Sequence, residues 1–460
     1  MKYKASSTTS ESVSTSECDA NTNSKINNQS QQCQKDIQSI KNNKAYQTLE
    51  HILAENYNAL DPDDSTVLPK TISAIKNRGG HRCWHKHSTF LDHLLGVHNI
   101  LRLWDQSHIV SRVGLLHSAY SNSYVNLALF DPMVELERQY MKDMVGVDSE
   151  EIIYLFCIID RQHVVVDTIL GQAQQYYVDW NNMDVDDMIV PDHLVVPHIR
   201  DENRTVYLSA DVLRLLVVFT MADVADQYFG WQDRLFGGLE EEHSMLMPKS
   251  DSNSNSATDN AEFQNHDSMA LWPGISKPGL WMSYVSQLGI ILSKYDAADI
   301  SSNANTNPIP PIFDNCTQIL TREDEKRARD LYWSVVMEDL DTSKNANTDV
   351  DPSSSQNVID TLLQASNFNP WFFESHVLLA QKYLHINDYE NARYSANRAL
   401  ELQMMWGTAY DKRMSFPAWV AWTRVLYQRA CNSSGGDKEE QQQQWPTNSW
   451  AVNNFGMVDY

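Results

Sequence analysis

The chain has 460 residues, and its 42% hydrophobic content is enough for a sizeable core and about two folded regions. A formal net charge of −24 argues against non-specific binding to nucleic acid or to an anionic membrane, since both rely on Lys and Arg neutralising phosphates. Cys18, Cys33, Cys83, Cys157, Cys316 and Cys431 include no C-x-x-C pair, so neither a zinc ribbon nor a disulfide framework is expected, and this usage fits a reducing cytosol.

The N-terminal MKYKASSTTSESVSTSE lacks the apolar segment of a secretory signal and the arginine-rich character of a transit peptide, so a cytoplasmic location is expected. Residues 1–40, rich in Ser, Thr, Asn and Gln, are expected to form a disordered tail, because they bury too little apolar surface to offset ordering entropy. A first helical domain is placed at 41–300, with a disordered insertion near 248–268. A second helical region is placed at 308–431, with a polar tract near 342 and a low-complexity tail at 432–460.

The folded stretches read as helical, and an all-α fold is expected. Phe90, Leu94, Val97, Leu101 and Trp104 recur at spacings of four and three, which places them on one helical face. A second helix is expected from near Ser111 through Val113, Leu116, His117 and Tyr120, and a third through Val212, Leu215, Leu216, Phe219, Asp223 and Asp226. HLVVPHI and TVYLSADV give only weak strand signals, since they are short and one contains proline.

Several ionisable groups fall on these apolar faces, where an unpaired charge is costly. His93 borders the stripe of the first helix, His117 lies between Leu116 and Tyr120, and Asp223 and Asp226 continue the face of the third. Imidazole nitrogen and carboxylate oxygen together suit a divalent metal, which would satisfy all four residues at once and favour phosphoester chemistry. The alternative is hydrogen-bonded core histidines and carboxylates paired with arginine. Upstream, Cys83, His85 and His87 in CWHKH lack a second ligand element and read as capping or solvent-exposed groups. The acidic stretch DWNNMDVDDMIVPD lacks the Gly and Glu of a calcium loop and reads as a solvated loop.

The order His93, GLLHS with His117, and MADVAD with Asp223 resembles the HD superfamily of metal-dependent phosphohydrolases over residues 80–240, which implies an HD-like helical domain at 41–300. HSTFLDHLLGVHNILRLW followed by GLLHSAYSNSYVNLALF is more similar still to an uncharacterised HD-like domain of plant and algal proteins. The resemblance implies His93 and His117 as metal ligands with Asp223, or Asp226, as the distal carboxylate. Ser118 stands where the superfamily carries the metal-bridging Asp, which weakens metal affinity unless Asp92, His85 or His87 substitutes. The chain is also similar to the HD hydrolases of stringent-response alarmones, whose Glu-Asp pair is here Ser121 and Asn122, so that route to hydrolysis is lost.

Further on, NPWFFESHVLLAQKYLHINDYENARYSANRALEL reads as a helix pair broken near HIND and resembles one tetratricopeptide unit at 369–403. Ala380, Tyr383, Tyr389, Ala392 and Ala399 match its packing positions, and Asn387 stands where the turn glycine is usual. Helices at REDEKRARDLYWSVVMEDL and PAWVAWTRVLYQRA would complete the stack. Asp411, Lys412 and Arg413 read as an exposed charged turn. Two functional readings stay open. One is a degenerate, non-catalytic HD-like protein that binds a small phosphorylated ligand, or a protein partner through its C-terminal helices. The other is an active metal-dependent phosphohydrolase on a nucleotide or phosphomonoester.

Overall fold

The computed structural model describes residues 31–56, 64–85, 88–121, 128–176, 189–227, 278–299, 309–314, 320–342 and 352–433. The fold is mostly helical, with two short hairpins and a C-terminal set of helical hairpins. After a helix at 31–42, the chain forms α1 (Lys44–Leu53) and α2 (Asp64–Asn77). A two-stranded ribbon of β1 (Trp84–His85) and β2 (Ser88–Thr89) then leads into α3 (Phe90–Leu103).

Helix α3 starts where a capping box closes: Thr89 Oγ1 accepts from the Asp92 backbone N–H, and Asp92 Oδ2 accepts from that of Thr89. Its buried stripe includes Leu94, Val97 and Leu101, as the spacing predicts. Helix α4 (His108–Leu116) packs against it through Gly114, where a Cβ would lie 2.7 Å from Leu101 Cδ1. It ends earlier than expected. His117 is its C-cap and Tyr120 lies beyond it, because the His117 ring turns back onto the Gly114 carbonyl and Ser121 adopts φ 65°.

Gly146, at φ 94°, separates α5 (Glu135–Val145) from α6 (Val147–Ile158). A π-helix at His163–Leu170 continues into α7 (Gly171–Tyr176). The two weak strand signals pair as an antiparallel hairpin, β3 (His193–Pro197) with β4 (Thr205–Ser209), and Pro197 sits at a strand end where no ladder donor is needed. Helix α8 (Ala210–Gln227) is buried over most of its circumference and forms the central rod of the fold.

Helix α9 (Met282–Asp299) begins on the buried carboxylate of Glu325, which accepts from the backbone N–H groups of Trp281, Met282 and Ser283 at 2.7, 2.8 and 2.9 Å. After α10 (Pro311–Asp314) come α11 (Arg322–Thr342), α12 (Pro352–Phe368), α13 (Phe373–His385), α14 (Tyr389–Trp406) and α15 (Phe416–Ser433). The expected break near HIND is a turn in which Asn387 takes φ 60°, a conformation Asn tolerates better than most residues. One hydrophobic cluster runs from Leu68 to Ala430 and so draws on both sides of residue 300. Across it, Trp104 Nε1 donates to the Met405 carbonyl at 2.9 Å, and Trp281 and Trp406 meet edge to face.

Three expectations need correction. Cys33 and Cys431 form a disulfide with Cα atoms 6.0 Å apart, a pairing invisible in sequence because 398 positions separate them. The same bond and the burial of Cys33 give structure to residues 31–40, which composition assigned to the disordered tail. Asp411, Lys412 and Arg413 are not an exposed turn. Asp411 is fully buried, accepts from Tyr332 Oη at 2.8 Å and is ion-paired with Arg413. The insertion at 248–268 and the residues beyond 433 lie outside the described residues, as does most of the acidic stretch from Asp179. No helix among the described residues is long and apolar enough to cross a membrane.

Candidate metal centre

Three helices deliver the site. Helix α3 contributes His93, the end of α4 contributes His117, and the last turns of α8 contribute Asp223 and Asp226. The side chains of His93, His117 and Asp223 are 2–4% exposed and converge: His93 Nε2 lies 3.4 Å from His117 Nε2 and 3.3 Å from Asp223 Oδ1, which is 3.8 Å from His117 Nε2. One potential ligand atom from each lies within 4.8 Å of the others.

The outer atoms of both rings are already engaged. His93 Nδ1 meets Asp226 Oδ2 at 2.7 Å, and His117 Nδ1 donates to the Gly114 carbonyl at 2.8 Å. With those positions protonated, the Nε2 lone pairs of the neutral rings face inward, the arrangement by which a second shell orients metal-bound imidazoles. Asp223 Oδ1 points at them without a hydrogen-bond donor, because the 3.3 Å contact with His93 is not aligned as a hydrogen bond. A buried carboxylate oxygen facing two imidazole nitrogens is a donor set that fits a divalent cation.

Without an ion the charges settle differently. Burial opposes a charge on His93, but the adjacent carboxylates of Asp223 and Asp226 outweigh it and raise the pKa to about 9. His117 goes the other way, lowered to about 3 mainly by burial. Asp223 is buried, yet Arg161, His93 and His117 hold its carboxyl well below the usual range. The metal-free centre is thus an imidazolium between two carboxylates beside a neutral imidazole.

Asp226 holds His93 from behind rather than joining the convergent trio. Ser118 is buried on the turn after His117. Ser121 Oγ accepts from Arg200 Nη2 at 2.6 Å, and Arg200 Nε also binds the Cys157 carbonyl. Asn122 and His87 lie outside the described residues. Asp92 is committed to the capping box, which removes it as a substitute ligand. His85 packs at the rim, its ring 4.8 Å from that of His93 and its Nε2 3.3 Å from Gln227 Oε1.

Sequence reasoning missed three residues. Arg161 is ion-paired with Asp223 and lies 4.7 Å over the Phe219 ring; in sequence it stands two residues after the apolar run ending at Ile159, which does not reveal its partner. Gly96 lets Asp226 approach α3, since a Cβ there would lie 1.9 Å from Asp226 Oδ1. Lys412 donates to the Ala225 carbonyl at 2.6 Å and so binds the end of α8. Burial lowers its pKa to about 8.

Residues 74–161 match a family described as a domain of unknown function (DUF6817), a segment that contains His93, His117 and Arg161 and stops short of Asp223. No curated protein and no solved structure matches the chain.

Proposed function

We propose that this chain is a degenerate, non-catalytic relative of the HD phosphohydrolases that holds one divalent metal on His93, His117 and Asp223 and uses it to bind a small phosphorylated ligand. The observation that carries the reading is the inward convergence of two imidazole nitrogens on a carboxylate oxygen that lacks a donor. When bound, such an ion supplies Lewis acidity toward an anionic oxygen. The chain's own residues do the rest: Asp226 and the Gly114 carbonyl fix the two rings, and Arg161 sets the charge beside Asp223. Hydrolysis is disfavoured because Asp223 is held by Arg161 and Asp226 by His93, leaving neither carboxylate free as a general base. The tetratricopeptide-like hairpin of α13 and α14 belongs, on this reading, to the packing of the site as much as to any partner surface, since the turn that follows it carries Lys412.

Metal analysis of purified wild type and His117→Ala, with both assayed on nucleotides and phosphomonoesters, tests the proposal. The expected result is about one equivalent of metal in wild type, its loss in the variant, and no turnover. Metal-free wild type would overturn the metal reading. Turnover that His117→Ala abolishes would establish active hydrolysis instead.

A further inference from the structure

The charges around Asp223 do not balance once a dication is added, and the imbalance identifies a second ligand. Asp223 divides its oxygens: Oδ2 is ion-paired with Arg161 Nη2, whereas Oδ1 faces the two histidines without a donor. The guanidinium is held over the Phe219 ring, with Phe156 on its flank at 5.9 Å. Its second terminal nitrogen, Nη1, is buried and has no hydrogen-bond partner. An Arg fork with one prong on a carboxylate and the other unused is an incomplete arrangement, because an unsatisfied buried donor costs stability and guanidinium is suited to paired oxygens.

The fixed charges of this neighbourhood are two carboxylates, Asp223 and Asp226, and one guanidinium, Arg161. With a divalent ion on neutral histidines that set becomes net positive, and the Lys412 ammonium near the end of α8 adds to the excess. A buried excess of positive charge is costly unless an anion accompanies it. Arg161 Nη1 is the unused donor available to such an anion.

We infer that Arg161 couples metal occupancy to the binding of a small oxyanion: its guanidinium opposes a cation on Asp223 when it acts alone, and supports that cation when Nη1 holds an anionic oxygen. The inference rests on the metal reading above and specifies its regulation. Because binding linkage is reciprocal, metal and anion then raise each other's affinity by the same factor. The ligand class is a tetrahedral oxyanion or a phosphate ester small enough to reach a largely buried guanidinium. A planar carboxylate shares the chemistry and is distinguished by experiment.

The test is calorimetric titration with zinc, alone and with inorganic phosphate kept below the millimolar range, on the full chain, Arg161→Met and His117→Ala. Acetate in place of phosphate separates the two anion shapes. Wild type is expected to bind zinc at least about tenfold more tightly with phosphate present than without it. In Arg161→Met, zinc alone is expected to bind more tightly than in wild type, and phosphate to have lost its effect. Arg161→Lys, which keeps the charge but not the fork, should oppose zinc as wild type does yet gain less from phosphate. If wild type binds zinc and Arg161→Met binds it equally well with the same phosphate effect, the coupling is overturned and the metal reading stands. If no folded form binds zinc in either condition, both fall. Circular dichroism of each variant establishes that it is folded.

Discussion

Asp226 lies so close over Gly96 that a Cβ at that glycine would stand 1.9 Å from the Asp226 Oδ1 atom. The same carboxylate holds His93 through its other oxygen, so the missing side chain on α3 and the orientation of His93 are parts of one arrangement. Gly96→Ala is therefore expected to push Asp226 away and release His93, with a loss of about 1–3 kcal/mol of stability. Gly171→Ala serves as the control, since its Cβ would meet nothing nearer than 3.5 Å. Urea unfolding and zinc titration of both variants measure the outcome, and a Gly96→Ala protein with unchanged zinc affinity would show that Asp226 does not position His93.

Asp226→Asn separates that geometry from charge. The amide keeps an oxygen against His93 Nδ1 but no longer draws positive charge onto the ring. Loss of a second-shell partner typically costs about 10–100-fold in metal affinity, and that range is expected here with the fold intact. Calorimetry with zinc alone reads it directly.

Stability should carry a specific acid dependence. Burial lowers the His98 pKa from 6.5 to about 4, with Nδ1 against the Ser111 carbonyl at 2.9 Å. The unfolded chain takes up this proton below pH 6.5 while the folded chain resists until about pH 4. The contribution of His98 is thus fully present above pH 6.5 and is lost as pH falls toward 4. His93 acts in the opposite sense: raised to about 9, its contribution is full below 6.5 and disappears as pH climbs through 9. Urea midpoints between pH 7 and pH 4.5 should fall less steeply in His98→Gln than in wild type, by up to about one proton's slope. Parallel curves would remove His98 from the account.

The Cys33–Cys431 bridge ties the helix at 31–42 to α15, alongside ion pairs of Arg393 with Asp36 and Arg424 with Glu50. Closing so long a loop restricts the unfolded chain, and its removal typically costs about 2–4 kcal/mol. Cys33→Ser, Cys431→Ser and the double variant should be destabilised equally, each matching the reduced wild type in urea. A reduced wild type as stable as the oxidised one would show that the bridge adds nothing.

The sequence was readable where local rules decide the outcome. The apolar spacing from Phe90 to Trp104 marks α3 without any tertiary information. His93, His117 and Asp223 stood out because ionisable groups on apolar faces require partners. What escaped was decided by distant parts of the chain. The end of α4 is set by the His117 ring folding back and by the left-handed Ser121, not by a residue that breaks helices in general. Arg161 finds Asp223 across 62 positions, and no local pattern announces such a pair. The charges of Asp411, Lys412 and Arg413 looked solvent-bound because composition cannot reveal that Tyr332 and the Ala225 carbonyl wait for them.

The Lys412 bond to the Ala225 carbonyl, together with Trp104 donating to Met405, has a practical meaning for anyone who would divide this protein. A fragment ending near residue 300 would leave the last turn of α8 without its cationic clasp and uncover the indole of Trp104 on the helix that bears His93. The segment 74–161 matches a family model on its own, but it holds only His93 and His117 of the convergent trio, and the helix that brings Asp223 to them is bonded at its end by Lys412.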